Sequence, residues 1–312
     1  MSEPIAMSEI IRARGLVKRY GRLTAVDGIS FSVRAGECFG FLGPNGAGKT
    51  TTIRMITCVS PVTAGELTVA GMDVGREPRR IKAVLGVVPQ ENNLDPDLSV
   101  RQNLRVYGRY FDLPPRVVDE RIDESLALFQ LSDRQNDRIA SLSSGMQRRL
   151  TIARGLINAP KILVLDEPTT GLDPQARHLV WQKLRYLRSQ GVTIPITTHY
   201  MEEAAHLSDR IVIIHKGKII AEGTPMELVE RFAGRQVVEV HVGEVERGPL
   251  LDRLATVEGL TVEEVEDIIY VYVRAENGFD AAALKLDAAK IVYRQANLED
   301  VFLRLTGRGL QE

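Results

Sequence analysis

Short apolar runs rich in β-branched residues alternate with segments of helical periodicity along the larger, N-terminal part of the chain. This alternation is typical of an α/β fold built on a parallel sheet. The Lys216-Gly217 pair separates two apolar runs and predicts a hairpin turn between the last two strands. The predicted strands cover residues 28–33, 38–42, 84–89, 161–165, 193–197, 211–215 and 218–221.

The segment from residue 93 to residue 140 departs from this alternation, because its apolar residues recur at near-helical spacing. We therefore expect a helical subdomain inserted into the α/β domain. Together with a helix predicted at 145–158, it spans about residues 93–158. The sets with this spacing are Leu104, Tyr107 and Gly108, and Ile122, Leu126 and Phe129.

The C-terminal part of the chain follows a different order of elements. A linking segment at 225–234, helical over 225–232, leads into strands and helices in the order βαββαβ. This order is typical of a small ferredoxin-like α+β domain. The predicted elements are strand 237–242, helix 250–256, strands 260–265 and 268–274, helix 279–286, strand 290–294 and a closing helix at 298–305.

Charge is distributed unevenly between these two parts. Residues 235–312 carry 9 basic and 15 acidic residues, a net charge of −6, and the remainder has a net charge of +5. The difference predicts separate tasks for the two parts. We interpret the chain as an N-terminal extension (1–8), an α/β domain (9–224), the linking segment and a C-terminal accessory domain (235–312). Met7 is a candidate start, because the residues before it fit no element.

Overall composition excludes several classes of protein. Forty basic and 41 acidic residues give a net charge of −1, so we expect no nucleic-acid binding driven by overall charge. The two cysteines, Cys38 and Cys58, exclude a disulfide framework and fit a reducing compartment. Apolar runs are too short for direct membrane insertion, which takes roughly 20 residues, and the first residues lack the order of a secretory signal. We expect a cytosolic protein, at most peripheral to a membrane.

The strongest chemical motif is a glycine-rich loop between the strand at 38–42 and a helix that begins near Thr51. Glycines let successive main-chain amides approach phosphate oxygens, Lys49 brings a positive charge, and the Thr50 hydroxyl can ligate Mg²⁺. A simple glycine-rich turn is the alternative, but the flanking strand and helix favour nucleotide binding. The candidate ligands are Gly43, Pro44, Asn45, Gly46, Ala47, Gly48, Lys49, Thr50 and Thr51.

A second motif places two adjacent carboxylates, Asp166 and Glu167, at the end of an apolar run. The run is short enough for a buried parallel strand, and ligand sites of α/β sheets lie at the carboxyl ends of such strands. Neighbouring side chains on an extended chain point in different directions. Asp166 is therefore expected to hold Mg²⁺ through its water shell, and Glu167 to accept the proton of an attacking water.

Leu142-Ser143-Ser144-Gly145 lies between these motifs and forms the turn leading into the helix predicted at 145–158. A serine in such a turn is by itself an ordinary helix cap. In this order, however, the three motifs resemble the ATP-binding subunits of ATP-binding cassette transporters, whose signature reads Leu-Ser-Gly-Gly-Gln. The resemblance covers about residues 9–223. Ser144 and Met146 depart from that signature, and the side chain of Ser144 can crowd or supplement a phosphate contact.

The resemblance implies roles for further residues. In that family an aromatic ring at the position of Tyr20 stacks on adenine, and the glutamine at Gln90 contacts Mg²⁺ and senses the transmembrane partner. The histidine at His199 contacts the γ-phosphate of ATP. The loop that ends at Asp173 is similar to the one through which two subunits communicate.

The same resemblance implies an ATPase that works as a homodimer around two ATP molecules. A second copy completes each site by placing Ser143 and Gly145, with the N-terminus of their helix, against the γ-phosphate, and Ser144 is a further candidate nucleotide-binding residue. Lys49 and His199 stabilise charge on the γ-phosphoryl group, while Glu167 deprotonates water. The implied metal ligands are Thr50, Gln90 and Asp166.

Within the family, residues 87–90, 197–203 and 297–307 are similar to the drug-resistance and nodulation-factor exporter branch. That branch works with a separate six-helix permease of the type-2 exporter class (ABC-2). The resemblance implies a peripheral subunit at the cytoplasmic face of the cell (inner) membrane, with the helical insert docked on the permease. A drug, a lipid, a polysaccharide and a lipo-oligosaccharide stay open as substrates.

Three other functions stay open on the residues alone. A soluble cassette ATPase acting on the ribosome or DNA usually carries two cassettes or a long coiled-coil insertion, and this sequence shows neither. A kinase that uses the same phosphate loop would leave the Leu142–Gln147 signature without a purpose. A catalytically silent nucleotide switch would not need Glu167 and His199.

Two local features allow more than one interpretation. His199, Glu202, Glu203 and His206 have helical spacing and could ligate zinc, although a solvated helix face is the simpler interpretation. Pro195 cannot donate a hydrogen bond within a sheet, so we expect a bulge in the strand just before His199. Trp181 is expected to pack in the core.

Overall fold

The computed structural model describes residues 9–257, 259–265, 267–273 and 291–306. The chain divides into two compact units between Glu222 and Gly223. No helix in this described part of the chain combines the length and the apolar character that a membrane span requires.

An antiparallel sheet in the order β2-β1-β4-β5 opens the first unit. The first strand, β1, was not among the predicted strands. Its apolar–polar alternation is interrupted by a register shift between Ala13 and Leu16, where Gly15 has a positive φ of 54°. The strands are β1 (Glu9–Tyr20), β2 (Leu23–Arg34), β4 (Ala64–Val69) and β5 (Met72–Asp73).

A six-stranded sheet in the order β10-β9-β3-β8-β7-β6 forms the centre of this unit. The strands are β3 (Cys38–Leu42), β6 (Leu85–Val88), β7 (Ile162–Asp166), β8 (Ile194–Thr198), β9 (Arg210–His215) and β10 (Lys218–Gly223). The pairs that join β9, β3, β8, β7 and β6 are parallel, which confirms the α/β class. Lys216 and Gly217 both have positive φ, as a two-residue hairpin turn between β9 and β10 requires.

The predicted bulge at Pro195 is wrong. Pro195 pairs with Phe39 in an unbroken register between β3 and β8. The nitrogen of Pro195, which carries no hydrogen, faces β7. On that side, β8 pairs with β7 at Thr193 and again at Ile196 but not between them. The missing amide donor therefore removes one hydrogen bond between β8 and β7 without a bulge in the pairing of β8 with β3.

The α-helices in the described part of the first unit are α1 (Lys49–Ile56), α2 (Pro78–Val84), α3 (Val100–Arg109), α4 (Pro115–Leu128), α5 (Ser144–Arg154), α6 (Pro174–Ser189) and α7 (Met201–Leu207). Leu104, Ile122 and Leu126 are buried between α3, α4 and α5, as the helical spacing predicts. Trp181 is buried in the same cluster, which confirms its packing role.

Helix α5 differs from its prediction at both ends. It begins at Ser144 rather than Gly145, because Ser143 is the N-cap and its hydroxyl accepts a hydrogen bond from the Met146 amide. It ends at Arg154 rather than residue 158. Asn158 instead donates from its side chain to the carbonyls of Ala83 and Leu85, and these bonds fasten the segment to the start of β6.

The second unit contains a four-stranded antiparallel sheet in the order β12-β13-β11-β14. This order is that of a ferredoxin-like domain, which agrees with the predicted α+β fold. The elements are α8 (Pro225–Phe232), β11 (Gln236–His241), α9 (Glu244–Ala255), β12 (Leu260–Val265), β13 (Ile268–Val273), β14 (Ile291–Gln295) and α10 (Leu298–Thr306). The helix predicted at 279–286 lies outside the described residues, as do residues 1–8.

Helix α9 starts earlier than predicted. The predicted start at residue 250 directly follows Pro249, and proline lacks the amide donor of a helix interior. The structure continues the helix through Pro249, since Leu250 and Leu254 are buried against the sheet and packing outweighs the local preference.

Candidate active site

Three adjacent strands of the central sheet end at one edge. The glycine-rich loop follows β3, Asp166 and Glu167 lie at the end of β7, and His199 follows β8. Because β8 lies between β3 and β7 and all three are parallel, their carboxyl ends meet. Side chains distant in sequence are thereby brought together where ligands of α/β sheets bind.

The glycines of the loop are required by close main-chain contacts. A Cβ atom on Gly43 would lie 2.2 Å from the Ile214 carbonyl oxygen, and one on Gly48 would lie 2.5 Å from the Ala25 carbonyl oxygen. Gly48 also has a φ of 108°, and α1 begins at the next residue. The loop thus delivers the free amides of a helix N-terminus to its concave side.

The other candidate residues of the loop have distinct surroundings. Asn45 and Gly46 are exposed at its tip, whereas Ala47 is buried. Thr50 and Thr51 are half-buried in the first turn of α1. Pro44 closes the loop, because its carbonyl accepts a hydrogen bond from the Ala47 amide at 3.2 Å.

Lys49 is a buried cation held by the loop. Its Nζ atom donates to the carbonyl oxygens of Gly43 (2.8 Å) and Pro44 (3.1 Å) and lies 3.4 Å from Glu167 Oε1. Burial lowers the pKa of Lys49, and the charge and hydrogen bond of Glu167 oppose that shift. An anion placed beside Lys49 would further favour its charged form.

The two adjacent carboxylates face different partners. Asp166 Oδ1 accepts hydrogen bonds from Thr50 Oγ1 (3.1 Å) and Thr197 Oγ1 (2.5 Å). A carboxylate and a hydroxyl at this separation are the hard oxygen ligands that Mg²⁺ prefers. The residues present therefore fit a magnesium ion.

Glu167 lies at the centre of the cluster with 5% of its surface exposed. Its Oε2 atom accepts hydrogen bonds from Gln90 Nε2 (3.3 Å) and Thr170 Oγ1 (3.2 Å), and it lies 3.2 Å from His199 Nδ1 without the alignment of a hydrogen bond. The backbone of Glu167 is left-handed, with a φ of 45°. Such a conformation costs of the order of 1–3 kcal/mol and is concentrated at functional sites.

The zinc alternative finds no support in this geometry. Glu203 is buried and accepts hydrogen bonds from Thr169 Oγ1 (2.6 Å) and Trp181 Nε1 (3.1 Å), away from His199. Among the described residues, no group of three or more histidine, cysteine, aspartate or glutamate side chains could hold a metal ion.

Tyr20 ends strand β1 with an exposed ring. The Lys18 ammonium lies 4.9 Å from the ring centroid, and the Tyr20 hydroxyl lies 3.4 Å from Ser60 Oγ. One face of the ring is thus supported by Lys18, and the ring offers a planar aromatic surface for stacking.

Ser143, Gly145 and Asp173 line a cleft of about 710 Å³ between α5 and α6. Gly145 packs closely on α6, where a Cβ atom would lie 3.1 Å from Ala176 Cβ. Asp173 caps α6 by accepting a hydrogen bond from the Ala176 amide at 2.8 Å. Ser144 is exposed in the first turn of α5. The candidate residues therefore form two groups, one around Glu167 and one along this cleft.

Sequence reasoning missed three residues of the Glu167 group. Thr197 and Thr170 bond directly to Asp166 and Glu167, and Arg148 bonds to the main chain of both. Thr197 lies near the end of β8, two residues before His199, and this position in the sequence could have marked it as a site residue. Arg148 stands in an amphipathic helix, where a single charge ordinarily indicates an exposed face.

Comparisons with known proteins fit this geometry. Residues 26–170 match the family model for ABC transporters, and residues 248–307 match the model for the C-terminal domain of the nodulation factor export protein NodI. The chain is similar to a Nod factor export ATP-binding protein I of Ralstonia nicotianae, with 45% identity over 99% of this chain and 97% of that protein. A protein of the same description from Rhizobium etli is 44% identical, covering 95% of this chain and 92% of that protein.

Solved structures give the same result for the first unit. The ATP-binding subunit of an ABC transporter aligns with a TM-score of 0.66 and 26% identity, covering 72% of this chain and 94% of that one. A dimeric ATP-binding cassette in a post-hydrolysis state with ADP and phosphate aligns with a TM-score of 0.63 and 26% identity, covering 69% and 98%.

Proposed function

Because this chain belongs to the family of ATP-binding cassette transporter subunits, we propose how its residues bind and hydrolyse ATP. The protein is an ATP-hydrolysing, energy-coupling subunit of an exporter. The observation that supports the residue roles is the convergence of Lys49, Gln90, Glu167 and His199 at one sheet edge.

The glycine-rich loop binds the triphosphate. Its main-chain amides and Lys49 contact the β- and γ-phosphates, and Tyr20 stacks on the adenine ring. Thr50, Asp166 and Gln90 would hold Mg²⁺, which when bound neutralises phosphate charge. Entry of the nucleotide gives Lys49 an anionic partner in place of the loop carbonyls.

Glu167 acts as the general base. It takes a proton from the attacking water while the water oxygen bonds to the γ-phosphorus and the bond to the bridging oxygen of ADP breaks. Lys49 and His199 stabilise the charge that spreads over the γ-phosphoryl oxygens. Removal of a general base costs about 10²–10⁴-fold in rate.

The second group of residues acts on the nucleotide of a second copy. Ser143 and Gly145 line the cleft beside α5, which Glu167 does not line, and Ser144 is exposed in the same first turn, so one chain offers half of each site. A homodimer in which the α5 N-terminus of one copy faces the γ-phosphate bound by the other completes both sites. Asp173, the N-cap of α6, lies beside this contact.

The membrane partner is a permease, and we assign it to the ABC-2 type on the basis of the nodulation-factor branch. The helical insert at 93–140 docks it, with Gln90 at the junction, at the cytoplasmic face of the inner membrane. Nod factor export by the relatives favours a nodulation-factor-like lipo-oligosaccharide as cargo. Affinity purification of the membrane protein that accompanies the intact chain tests this assignment, and an ABC-2 permease is the expected result.

The accessory unit, Gly223–Glu312, supports dimerisation or regulates turnover. Its match to the NodI C-terminal model favours a task specific to this branch. Removal of residues from Arg235 onward is expected to weaken ATP-dependent dimerisation or to change the ATPase rate. Unchanged values for both, measured by light scattering and phosphate release, would contradict this role.

A further inference from the structure

Arg148 is a buried arginine of α5 that contacts the main chain on both sides of the active site. Only 6% of its surface is exposed. Nε donates to the Pro168 carbonyl (2.6 Å), and one terminal nitrogen donates to the carbonyls of Pro89 (2.6 Å) and Gln90 (3.2 Å). The other donates to the carbonyls of Asp166 (2.9 Å) and Glu167 (3.0 Å).

These five bonds use the whole donor set of a guanidinium group. The acceptors belong to two segments, one carrying Gln90 and the other carrying Glu167, and the side chains of these two residues bond to each other. Three of the acceptors belong to the turn in which Glu167 adopts its left-handed conformation. The guanidinium plane therefore fixes the main chain on either side of the Gln90–Glu167 contact.

The electrostatic environment of Arg148 is unusual for a structural arginine. Burial lowers its pKa to about 10, so it still carries a proton at neutral pH. Buried charges are ordinarily paired with an opposite charge. Among the described residues, no carboxylate lies within salt-bridge distance of Arg148, and its partners are main-chain carbonyls. A lysine could not replace it, because one ammonium has three donors for five acceptors.

Neighbouring side chains of α5 hold the same loop. Gln147 accepts a hydrogen bond from Asn92 Nδ2 at 2.8 Å, and Arg154 donates to the Asn93 carbonyl at 2.5 Å. Helix α5 is thus fastened to residues 89–93 along several of its turns. Since Arg148 extends this attachment to the Glu167 turn, α5, the Gln90 segment and the Glu167 turn form one connected body.

We propose that Arg148 is a positioning residue for hydrolysis. Through its main-chain bonds it couples the position of the Glu167 carboxylate to the positions of α5 and the Gln90 segment. This inference rests on the proposed role of Glu167 as general base. Because α5 begins at Ser144, the residue connects the end that meets a second copy's nucleotide with the base that acts on this copy's own.

The test is Arg148→Lys, measured as steady-state ATP hydrolysis. We expect kcat to fall about 10–100-fold, a part of the effect of a lost general base, while KM for ATP and the affinity for a fluorescent ATP analogue change less than about threefold. Arg121→Lys is the matched control: Arg121 of α4 also donates to a main-chain carbonyl, that of Ile157 at 3.0 Å, and does not line the cleft between α5 and α6. That variant should keep kcat within about twofold of the parent.

A double-mutant cycle with Glu167→Gln separates positioning from general stabilisation. If Arg148 acts through the carboxylate, Arg148→Lys has little further effect on the residual single-turnover rate of Glu167→Gln. Equal factors in both backgrounds, or a kcat of Arg148→Lys within about twofold of the parent, would overturn the proposal. Arg148→Gln serves as the second variant, and if neither variant folds and binds ATP, Arg148 is a stability element and the proposal is also overturned. Normal turnover by Glu167→Gln alone would instead contradict the proposed base.

Discussion

The two units of the molecule each hold a buried cluster of charges, and the clusters are built differently. In the second unit, the Arg294 guanidinium donates two bonds of 2.7 Å to the carboxylate of Asp300, which is fully buried, and also bonds Glu239. The main-chain amide of Asn297 also donates a hydrogen bond to the Asp300 carboxylate at 2.8 Å. In the first unit, Lys49 bonds two loop carbonyls and forms one longer ion pair, at 3.4 Å, with Glu167.

The pKa shifts of the two cations express the same difference. Hydrogen bonds to Asp300 raise the pKa of Arg294, whereas burial lowers the pKa of Lys49. A cation whose charge is fully matched within the chain stabilises structure. One whose charge is poorly matched has capacity left for an anionic ligand. The degree to which the cation's charge is matched within the chain thus separates a structural cluster from a chemical site, although both combine a cation with carboxylates.

Glu167→Gln tests the chemical site of the first unit most directly. Steady turnover should fall about 10²–10⁴-fold because the amide cannot accept the water's proton, while ATP binding persists. Uncleaved ATP should then trap a dimer, visible by light scattering beside phosphate release. Glu202→Gln, which changes an exposed carboxylate on α7, is the control and should keep turnover. Turnover of Glu167→Gln at the parent rate would remove Glu167 from the base role.

The structural cluster should respond in stability instead of chemistry. Asp300→Ala leaves Arg294 and the Asn297 amide without their partner, which should lower the free energy of unfolding of the second unit by about 3 kcal/mol. Urea unfolding of the full chain measures the change. Asp300→Asn, which retains an acceptor, should cost less. A stable variant with reduced ATP affinity would contradict the distinction drawn between the clusters.

Gly48→Ala tests whether the main chain of the phosphate-binding loop must keep its observed conformation for ATP to bind. Its Cβ would meet the Ala25 carbonyl at 2.5 Å on a backbone with a φ of 108°. The loop must shift, and ATP affinity should fall roughly tenfold, as for a misplaced phosphate contact. Gly191→Ala is the control, because Gly191 has a φ of 86° with no neighbour within 4 Å of its added Cβ. That variant should lose about 1 kcal/mol of stability with ATP affinity intact.

A weak pH dependence of stability is expected from Glu203. Burial raises the pKa of this carboxyl, and hydrogen bonds from Thr169, Thr198 and Trp181 oppose the shift. A raised folded-state pKa means that stability from Glu203 is fully present below the unfolded-state pKa and is lost as pH rises through the folded-state value. The free energy of unfolding of the parent, relative to Glu203→Gln, should therefore fall with rising pH. A difference that rises with pH would contradict this sign.

The sequence predicted the parts of the fold in which local pattern and burial agree. Strand β3 was predicted with its observed bounds, because all five of its residues are apolar or glycine and all are buried. Strand β1 was missed, since a register shift at Gly15 breaks its alternation. The bulge at Pro195 was wrongly predicted because a single residue does not show toward which neighbouring strand its missing amide donor would point.

The candidate site shows the same limit. The phosphate loop and the two carboxylates follow from short motifs whose chemistry is local. Arg148 does not, because its five acceptors lie 18–20 and 58–59 residues away along the chain. Only the fold brings those carbonyls together, and no residue spacing in the sequence predicts their contact with Arg148.

Trp181 gives the molecule a built-in optical probe. It is the only tryptophan of the sequence, its indole bonds Glu203 on α7, and its ring lies between those of His178 (5.1 Å) and His206 (5.2 Å). Tryptophan emission from an unlabelled sample therefore originates at one place, where α6 meets α7. Any sliding of these helices during a catalytic cycle changes the surroundings of that single fluorophore, so the motion can be timed in a stopped-flow instrument without attaching a dye.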